Sequence, residues 1–320
     1  MGPRLILHIG ASKTGSSAIQ DFLRLNCKAL RDLGFLVPDR ELGLTGHVTG
    51  EHVMAFQEYF NHSNKTGIEA AMQALAQAGA GAVVMSAENL SNANNFQFFA
   101  NALRGMPCKV IIYVRRQDEF LTSSWQQWYS KVETDLNAWL ILALQRFGQW
   151  LRCIDGWESV AGAGNVTVRV FQKSDLINGD VVDDFVGQLG LAGPLPDFAR
   201  STTLVNPSYS DIITPIVSGS KTIFTDAHDN GFYQLVGKLT GDRYVKQKKV
   251  SLITPQQRDK IVEFYRPQNE AICRKYFPGR PRLFEAVDHS KYDYLNPVEM
   301  TRRQLEFLAS MIYATHSRDR

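Results

Sequence analysis

At 320 residues, 44% hydrophobic and 21% charged, the chain is long and apolar enough to bury a large core. Its formal net charge of +3 suits anionic ligands and is too small to argue for a nucleic-acid partner. Four cysteines (Cys27, Cys108, Cys153, Cys273) without a C-x-x-C, and seven histidines without a zinc spacing, exclude a disulfide scaffold and a sequence-evident metal site. The first predicted element is a strand over Arg4–Ile9, then a helix over Ser16–Leu33 closed by Gly34. Pro38–Gly50 is turn-rich, and helices are predicted near Glu51–Tyr59 and Gly67–Gln77. A strand over Ala82–Ser86 and a helix near Asn95–Arg104 follow. Lys109–Val114 is β-branched and nearly continuous in apolar residues, as a buried parallel strand should be, and leads into a helix over Asp118–Lys131. A long helical stretch over Leu136–Val160, a strand over Val166–Phe171 and a helix over Val181–Leu189 complete the alternation. Such alternation predicts an α/β fold, a parallel sheet flanked by helices. One domain over 1–320 is expected, with an α/β core over 1–195 and a mostly helical part over 196–320. Turn signals sit at Asn206-Pro207, Pro255, Pro267 and Pro278-Gly279-Arg280-Pro281, and the last predicted helix, Thr301–Tyr313, is amphipathic.

Two strand-to-helix turns carry the chemistry. The first follows Leu5-Ile6-Leu7-His8-Ile9 and reads Gly10-Ala11-Ser12-Lys13-Thr14-Gly15-Ser16-Ser17. Glycines let backbone N–H groups curl around an anion, and the helix N-terminus adds partial positive charge. Lys13 supplies a full charge, and the hydroxyls of Thr14, Ser16 and Ser17 can donate. A nucleotide-hydrolysing P-loop places its lysine after the last glycine, whereas Lys13 precedes Gly15. The second turn closes the strand at Val114 with Arg115-Arg116-Gln117-Asp118-Glu119, and Ser123 stands eight positions beyond Arg115. Arginine offers a planar fork to a phosphate, and a serine two helical turns on can reach the same anion. Taken alone, Arg115 also fits a surface ion pair with Asp118 or Glu119, and Ser123 a solvated helix position.

The Lys13-Thr14-Gly15-Ser16-Ser17 order resembles the 5′-phosphosulfate loop of sulfotransferases that use 3′-phosphoadenosine 5′-phosphosulfate (PAPS). The Arg115…Ser123 spacing resembles their 3′-phosphate motif. The likeness is nearest to bacterial-type members that begin with a strand, H-I-G and a K-T-G-[ST]-[ST] loop, and it covers about the first 195 residues. The resemblance implies a P-loop NTPase-like sulfotransferase fold. It implies that Gly10, Ser12, Lys13, Thr14, Gly15, Ser16 and Ser17 hold the 5′-phosphosulfate, and that Arg115 and Ser123 hold the 3′-phosphate. PAPS would be the co-substrate, adenosine 3′,5′-bisphosphate (PAP) the product, and no metal would be needed, because Lys13 offsets charge on the leaving phosphate. The acceptor would be a hydroxyl (or amine) of a carbohydrate, glycolipid or small metabolite.

The same resemblance calls for a base to take the acceptor's proton. His52 best matches the position of a histidine before an apolar helix, and an imidazole titrates near neutrality. His47 and Glu51 stand close by, and Glu88 follows a strand end, where α/β sites gather. The alternatives are a capping or solvent-facing His52 and a Glu88 that serves a helix dipole. Asn206-Pro207-Ser208-Tyr209-Ser210 and the basic run Arg243-Tyr244-Val245-Lys246-Gln247-Lys248-Lys249 are further candidates to approach the nucleotide or an anionic glycan. No stretch approaches the roughly 18 apolar residues of a membrane span, and the N-terminus runs directly into the first strand. A cytoplasmic enzyme of unspecified oligomeric state is expected. A P-loop kinase or NTPase, and a silent nucleotide-binding protein, remain open as alternatives.

Overall fold

The computed structural model describes residues 4–78, 81–92, 94–191, 196–201, 212–241 and 250–317. The chain falls into two compact units that interleave in sequence. The first comprises residues 1–115, 149–205 and 268–284, and the second residues 116–148, 206–267 and 285–320. Among the described residues no helix is long and apolar enough to cross a membrane.

The first unit holds a five-stranded, all-parallel sheet built from β1 (Arg4–His8), β2 (Phe35–Leu36), β3 (Ala82–Ser86), β4 (Cys108–Val114) and β5 (Val166–Val170). Its order is β2-β3-β1-β4-β5. All five residues of β3 are buried, as expected of an interior parallel strand covered on both faces. At the edge, β5 alternates instead: Val166, Val168 and Val170 are buried, with Thr167 and Arg169 between them. On one face Ile6, Val84, Ile111 and Tyr113 pack with Ile19 and Phe22 of α1 (Ser16–Leu25) and with Val182 and Phe185 of α8 (Val181–Leu189). An aromatic group of Phe56, Phe99 and Trp157 lies elsewhere in the core, with the Trp157 indole N–H donating to Leu90 O at 3.0 Å. The register sets His8 of β1 opposite Ser86 of β3 and Ile111 of β4.

Strand order locates the crevice. From β1 the chain passes to β2 on one side of the sheet, and from β4 it passes to β5 on the other. Adjacent strands whose connections diverge leave a gap beyond their carboxyl ends, where ligands of open α/β sheets bind. Here the gap lies between the turns after β1 and β4, the two turns singled out by sequence.

Several predicted helices are shorter than their patterns. The helix expected over Ser16–Leu33 divides at Asn26 into α1 and α2 (Cys27–Asp32). The Asn26 amide donates to Phe22 O and to Ala199 O, and its Oδ1 accepts the Ala199 N–H, so a side chain competes with the helix ladder. The stretch over Leu136–Val160 divides at Gly148 (φ +66°) into α6 (Leu136–Arg146) and α7 (Trp150–Ala161). Near Asn95–Arg104 only a 3-10 turn forms, over Asn95–Phe99. Helices α3 (Val53–Asn61) and α4 (Lys65–Ala76) form close to the expected places.

The second unit is helical. It contains α5 (Gln117–Gln127), α6, α9 (Thr214–Val217), α10 (Gly231–Thr240) and α12 (Pro297–Ser317). Ile213, Val217, Phe224, Tyr233, Val236 and Phe307 form one core cluster, and Trp125, Tyr129 and Trp139 pack as an aromatic group. Helix α11 (Pro255–Tyr276) runs through Pro267, where the sequence suggested a turn. Pro267 is exposed, so losing its N–H is tolerated, while Ile261 and Tyr265 before it and Ile272 and Cys273 after it are buried. Arg116 is no isolated surface cation. It pairs with the buried Asp118 at 2.6 Å and with Glu119 at 3.3 Å, and Arg258 takes the other face of Asp118 at 2.5 Å. Two guanidinium groups hydrogen-bond this buried carboxylate and replace the hydration it loses.

Candidate active site

The turn after β1 has the backbone of an anion cradle. Lys13 (φ +66°) and Gly15 (φ +83°) both sit in the left-handed region. For lysine this conformation costs about 1–2 kcal/mol, a strain held where the surrounding fold over-determines it. Alternating right- and left-handed residues turn successive N–H groups to one side, as an anion nest requires. Gly15 caps α1, and the first turn of α1 carries no acidic residue that would repel an anion. Gly10 is dictated by contact: a Cβ there would stand 2.4 Å from His8 Nε2. Thr14 is fully buried and its hydroxyl donates to Ala11 O, so it closes the loop on itself. Ser16 Oγ donates more weakly to the same carbonyl, at 3.3 Å. Ser12, Lys13 and Ser17 are half-buried.

Arg115, at the end of β4, is brought to this loop. Its guanidinium donates to Lys13 O at 2.9 Å and lies 5.9 Å from the Phe171 ring. Its own carbonyl accepts the Trp150 indole N–H at 2.9 Å. The left-handed turn at Lys13 is thus tied to the second sequence turn within one unit. Ser123 is half-buried on α5, in the other unit.

Glu88 follows β3 and is half-buried. Burial pushes its carboxyl above the ordinary range. The hydroxyls of Ser12 and Ser16 and the charge of Lys13 act in the opposite sense, and Glu51 adds to the rise. Lysine, hydroxyls and two carboxyls therefore meet at the carboxyl edge of the sheet. Glu51 is half-buried and accepts the Val53 N–H at 2.6 Å, and His47 is exposed.

His52 has a different surrounding from the one its sequence position suggested. It is fully buried. Its Nε2 lies 3.2 Å from Pro38 O and its Nδ1 3.3 Å from Ser86 O; with the ring proton on Nε2, both that proton and the Ser86 N–H find a partner. Nδ1 then accepts the Ser86 N–H at 3.2 Å. Both nitrogens are committed to backbone; burial lowers the ring's pKa, outweighing the bonds to Pro38 and Ser86, which act to raise it. The carbonyl it reaches is fixed by the next loop, where Asp39 accepts N–H groups from Glu41, Gly43 and Gly46 at 3.0, 2.7 and 2.8 Å.

Sequence reasoning gave no role to His8 or Ser86. His8 Nδ1 lies 2.8 Å from Ser86 Oγ, and burial pushes the ring down to about 3. The available signal was a histidine interrupting the apolar run Leu5–Ile9. These rings fix a pH dependence. Unfolded, a histidine binds a proton below about 6.5, whereas burial holds the His8 ring neutral down to about 3 and lowers the His52 ring as well. The unfolded state then holds more protons, so stability drops as pH falls below about 6.5, by up to about 1.4 kcal/mol per pH unit for His8, with His52 acting in the same direction. The thermal midpoint should fall clearly between pH 7 and pH 5; a flat midpoint would mean that the rings are not neutral and buried.

Among the described residues no group of three or more His, Cys, Asp or Glu is placed to hold a metal ion. Asn206-Pro207-Ser208-Tyr209-Ser210 and Arg243–Lys248 with Lys249 lie outside the described residues.

No family model matches the sequence. An uncharacterized protein of Archaeoglobus fulgidus is 22% identical over 218 residues, which is 67% of this chain and 59% of the archaeal protein. The chain thus spans less than two thirds of that relative's length. Among solved structures, a sulfotransferase from Alicyclobacillus acidocaldarius is similar with a TM-score of 0.40 and 17% identity, over 62% of this chain and 86% of the other.

Proposed function

We propose that this protein is a PAPS-dependent sulfotransferase acting on a hydroxyl or amine acceptor, a carbohydrate, glycolipid or small metabolite. The observation that carries the reading is the loop after β1. A lysine before the second glycine, two left-handed residues and an acid-free helix start form an anion cradle. It faces the arginine of β4 across the diverging strand connections. The residues present fit a bound anion: Lys13 and the Ser12, Ser16 and Ser17 hydroxyls stand on the loop, and Gly10 lets its backbone pass close over the His8 ring, where a Cβ would stand 2.4 Å from Nε2.

When bound, PAPS would supply a sulfuryl group for in-line transfer to the acceptor, with PAP as the other product. The chain's own residues have distinct parts. The loop N–H groups and the hydroxyls of Ser12, Ser16 and Ser17 bind the 5′-phosphate oxygens. Lys13 offsets the negative charge that grows on the departing phosphate oxygen. Arg115, and by its sequence spacing Ser123, bind the 3′-phosphate that distinguishes this nucleotide from ATP. Glu88 is assigned as the base that takes the acceptor's proton, since burial raises its proton affinity toward neutrality. His52, closed in by backbone, is assigned to holding β3 and the loop after β2 together.

The direct test is mass spectrometry of candidate acceptors incubated with PAPS or with ATP. A sulfuryl mass gain with PAPS alone supports the reading, and a phosphoryl gain with ATP replaces it by a kinase. Arg115→Ala is expected to weaken PAP binding by about 10–100-fold, as the loss of a charge-assisted, forked contact of about 1.5–3 kcal/mol implies. Calorimetry showing unchanged PAP affinity would remove Arg115 from the site.

A further inference from the structure

His8 has no part in the chemistry above, yet it lies directly beneath the loop. It is fully buried at the end of β1, and among the described residues its Nε2 has no hydrogen-bond partner. An unpaired buried polar atom is costly, so such a position calls for an explanation. Nε2 is not lost in apolar packing. A Cβ on Gly10 would lie 2.4 Å from Nε2 and 3.0 Å from Ser16 Oγ. The bare Cα of Gly10 packs directly against the imidazole, which brings Nε2 and the Ser16 hydroxyl to flank the same point. The ring is clamped edge-on by Tyr113 and Phe185, at 5.7 and 5.5 Å between centroids, so it cannot readily turn away.

We propose that His8 is a positioning residue for the donor nucleotide: its Nε2–H donates to Ser16 Oγ and so commits the Ser16 proton to the bound 5′-phosphate. This inference rests on the donor reading above. The chain of bonds begins at Ser86, whose Oγ lies 2.8 Å from Nδ1; with Ser86 as the donor, the ring proton sits on Nε2. Without a nucleotide, the Ser16 hydroxyl has two acceptors in reach, Ala11 O at 3.3 Å and the Glu88 carboxylate. With phosphate in the loop, the hydroxyl swings to a phosphate oxygen and its lone pairs become free to accept from Nε2–H. An ionised phosphate only accepts hydrogen bonds. A serine held as acceptor on its buried side must donate on its open side, so the relay favours a fully ionised anion in the cradle. The groups facing the ring are Ser86, Tyr113 and Phe185, and the Tyr113 hydroxyl is already spent on Asp184 at 2.8 Å. The ring therefore acts as a neutral dipole, in keeping with its low proton affinity.

Side-chain histidine NMR with and without PAP tests the relay, with calorimetry run in parallel. In the free protein His8 should be the Nε2–H tautomer. On saturation with PAP its ring proton should move downfield, and the shift should vanish in Ser16→Ala. His8→Gln, whose amide N–H can reach the same point, should keep most of the PAP affinity. His8→Phe, similar in bulk but without the donor, should lose about tenfold, the worth of one hydrogen bond. A Nδ1–H tautomer, or an unmoved ring proton in protein that calorimetry shows to be saturated, overturns the relay and leaves the donor reading intact. If the wild-type protein gives no heat with PAP at all, the donor reading falls, and the relay with it.

Discussion

Lys13→Ala should bring sulfuryl transfer down by at least about 10²–10³-fold, with the fold intact. The size of the effect follows from where charge develops. As the bond from sulfur to the bridging oxygen breaks, the departing phosphate gains negative charge, and a fixed ammonium in a water-poor cradle is worth far more there than in bulk water. Alanine does not ask for a new backbone: Lys13 already occupies the left-handed region, where both residues carry the same Cβ penalty. The Arg115 bond goes to the Lys13 carbonyl, which the substitution keeps. The loss should therefore appear in the rate of the chemical step, measured in single turnover, more than in PAP affinity. Wild-type turnover in this variant would mean that the loop does not hold the transferred group.

Glu88→Gln should lower turnover by about 10²–10⁴-fold while PAP binding is retained, because the amide keeps the shape and loses the proton acceptor. The pH profile gives a second readout. A carboxylate base works only when ionised, so activity falls as pH drops through its pKa. Burial and Glu51 place that limb above the ordinary carboxylate range, against the pull of Ser12, Ser16 and Lys13. The acidic limb should be present in the wild type and absent in the variant. A Glu88→Gln enzyme with its turnover unimpaired would exclude Glu88 and return the role to Glu51 or His47. His52 predicts the contrary pattern: substitution there should cost stability, since its two backbone bonds and buried volume are lost.

Much of the first unit was legible because its signals are local. Ala82–Ser86 was readable to the residue from five consecutive buried-type side chains, and β1 and β4 differ from expectation only at one end. Less was legible where one side chain meets a distant partner. Asn26 breaks a periodic helix by bonding Ala199, a residue 173 positions away. The two-residue β2 is too short for any alternation to reveal. Pro267 marks a turn in most sequences and sits inside a helix here because buried anchors flank it.

The candidate site divides in the same way. By itself the amino-acid sequence determined the loop chemistry: glycines where the backbone must pass close or turn left-handed, a lysine between them, and an arginine at the end of a second strand. Those features are written in consecutive residues, since a turn's conformation depends on its own side chains. Only the tertiary structure decided which neighbours those residues have. It buried His52 against Pro38 and Ser86, set Glu88 beside Lys13, and slid His8 under Gly10. A side chain's proton affinity and reach are set by burial and by groups far away in the chain, and no local pattern encodes them.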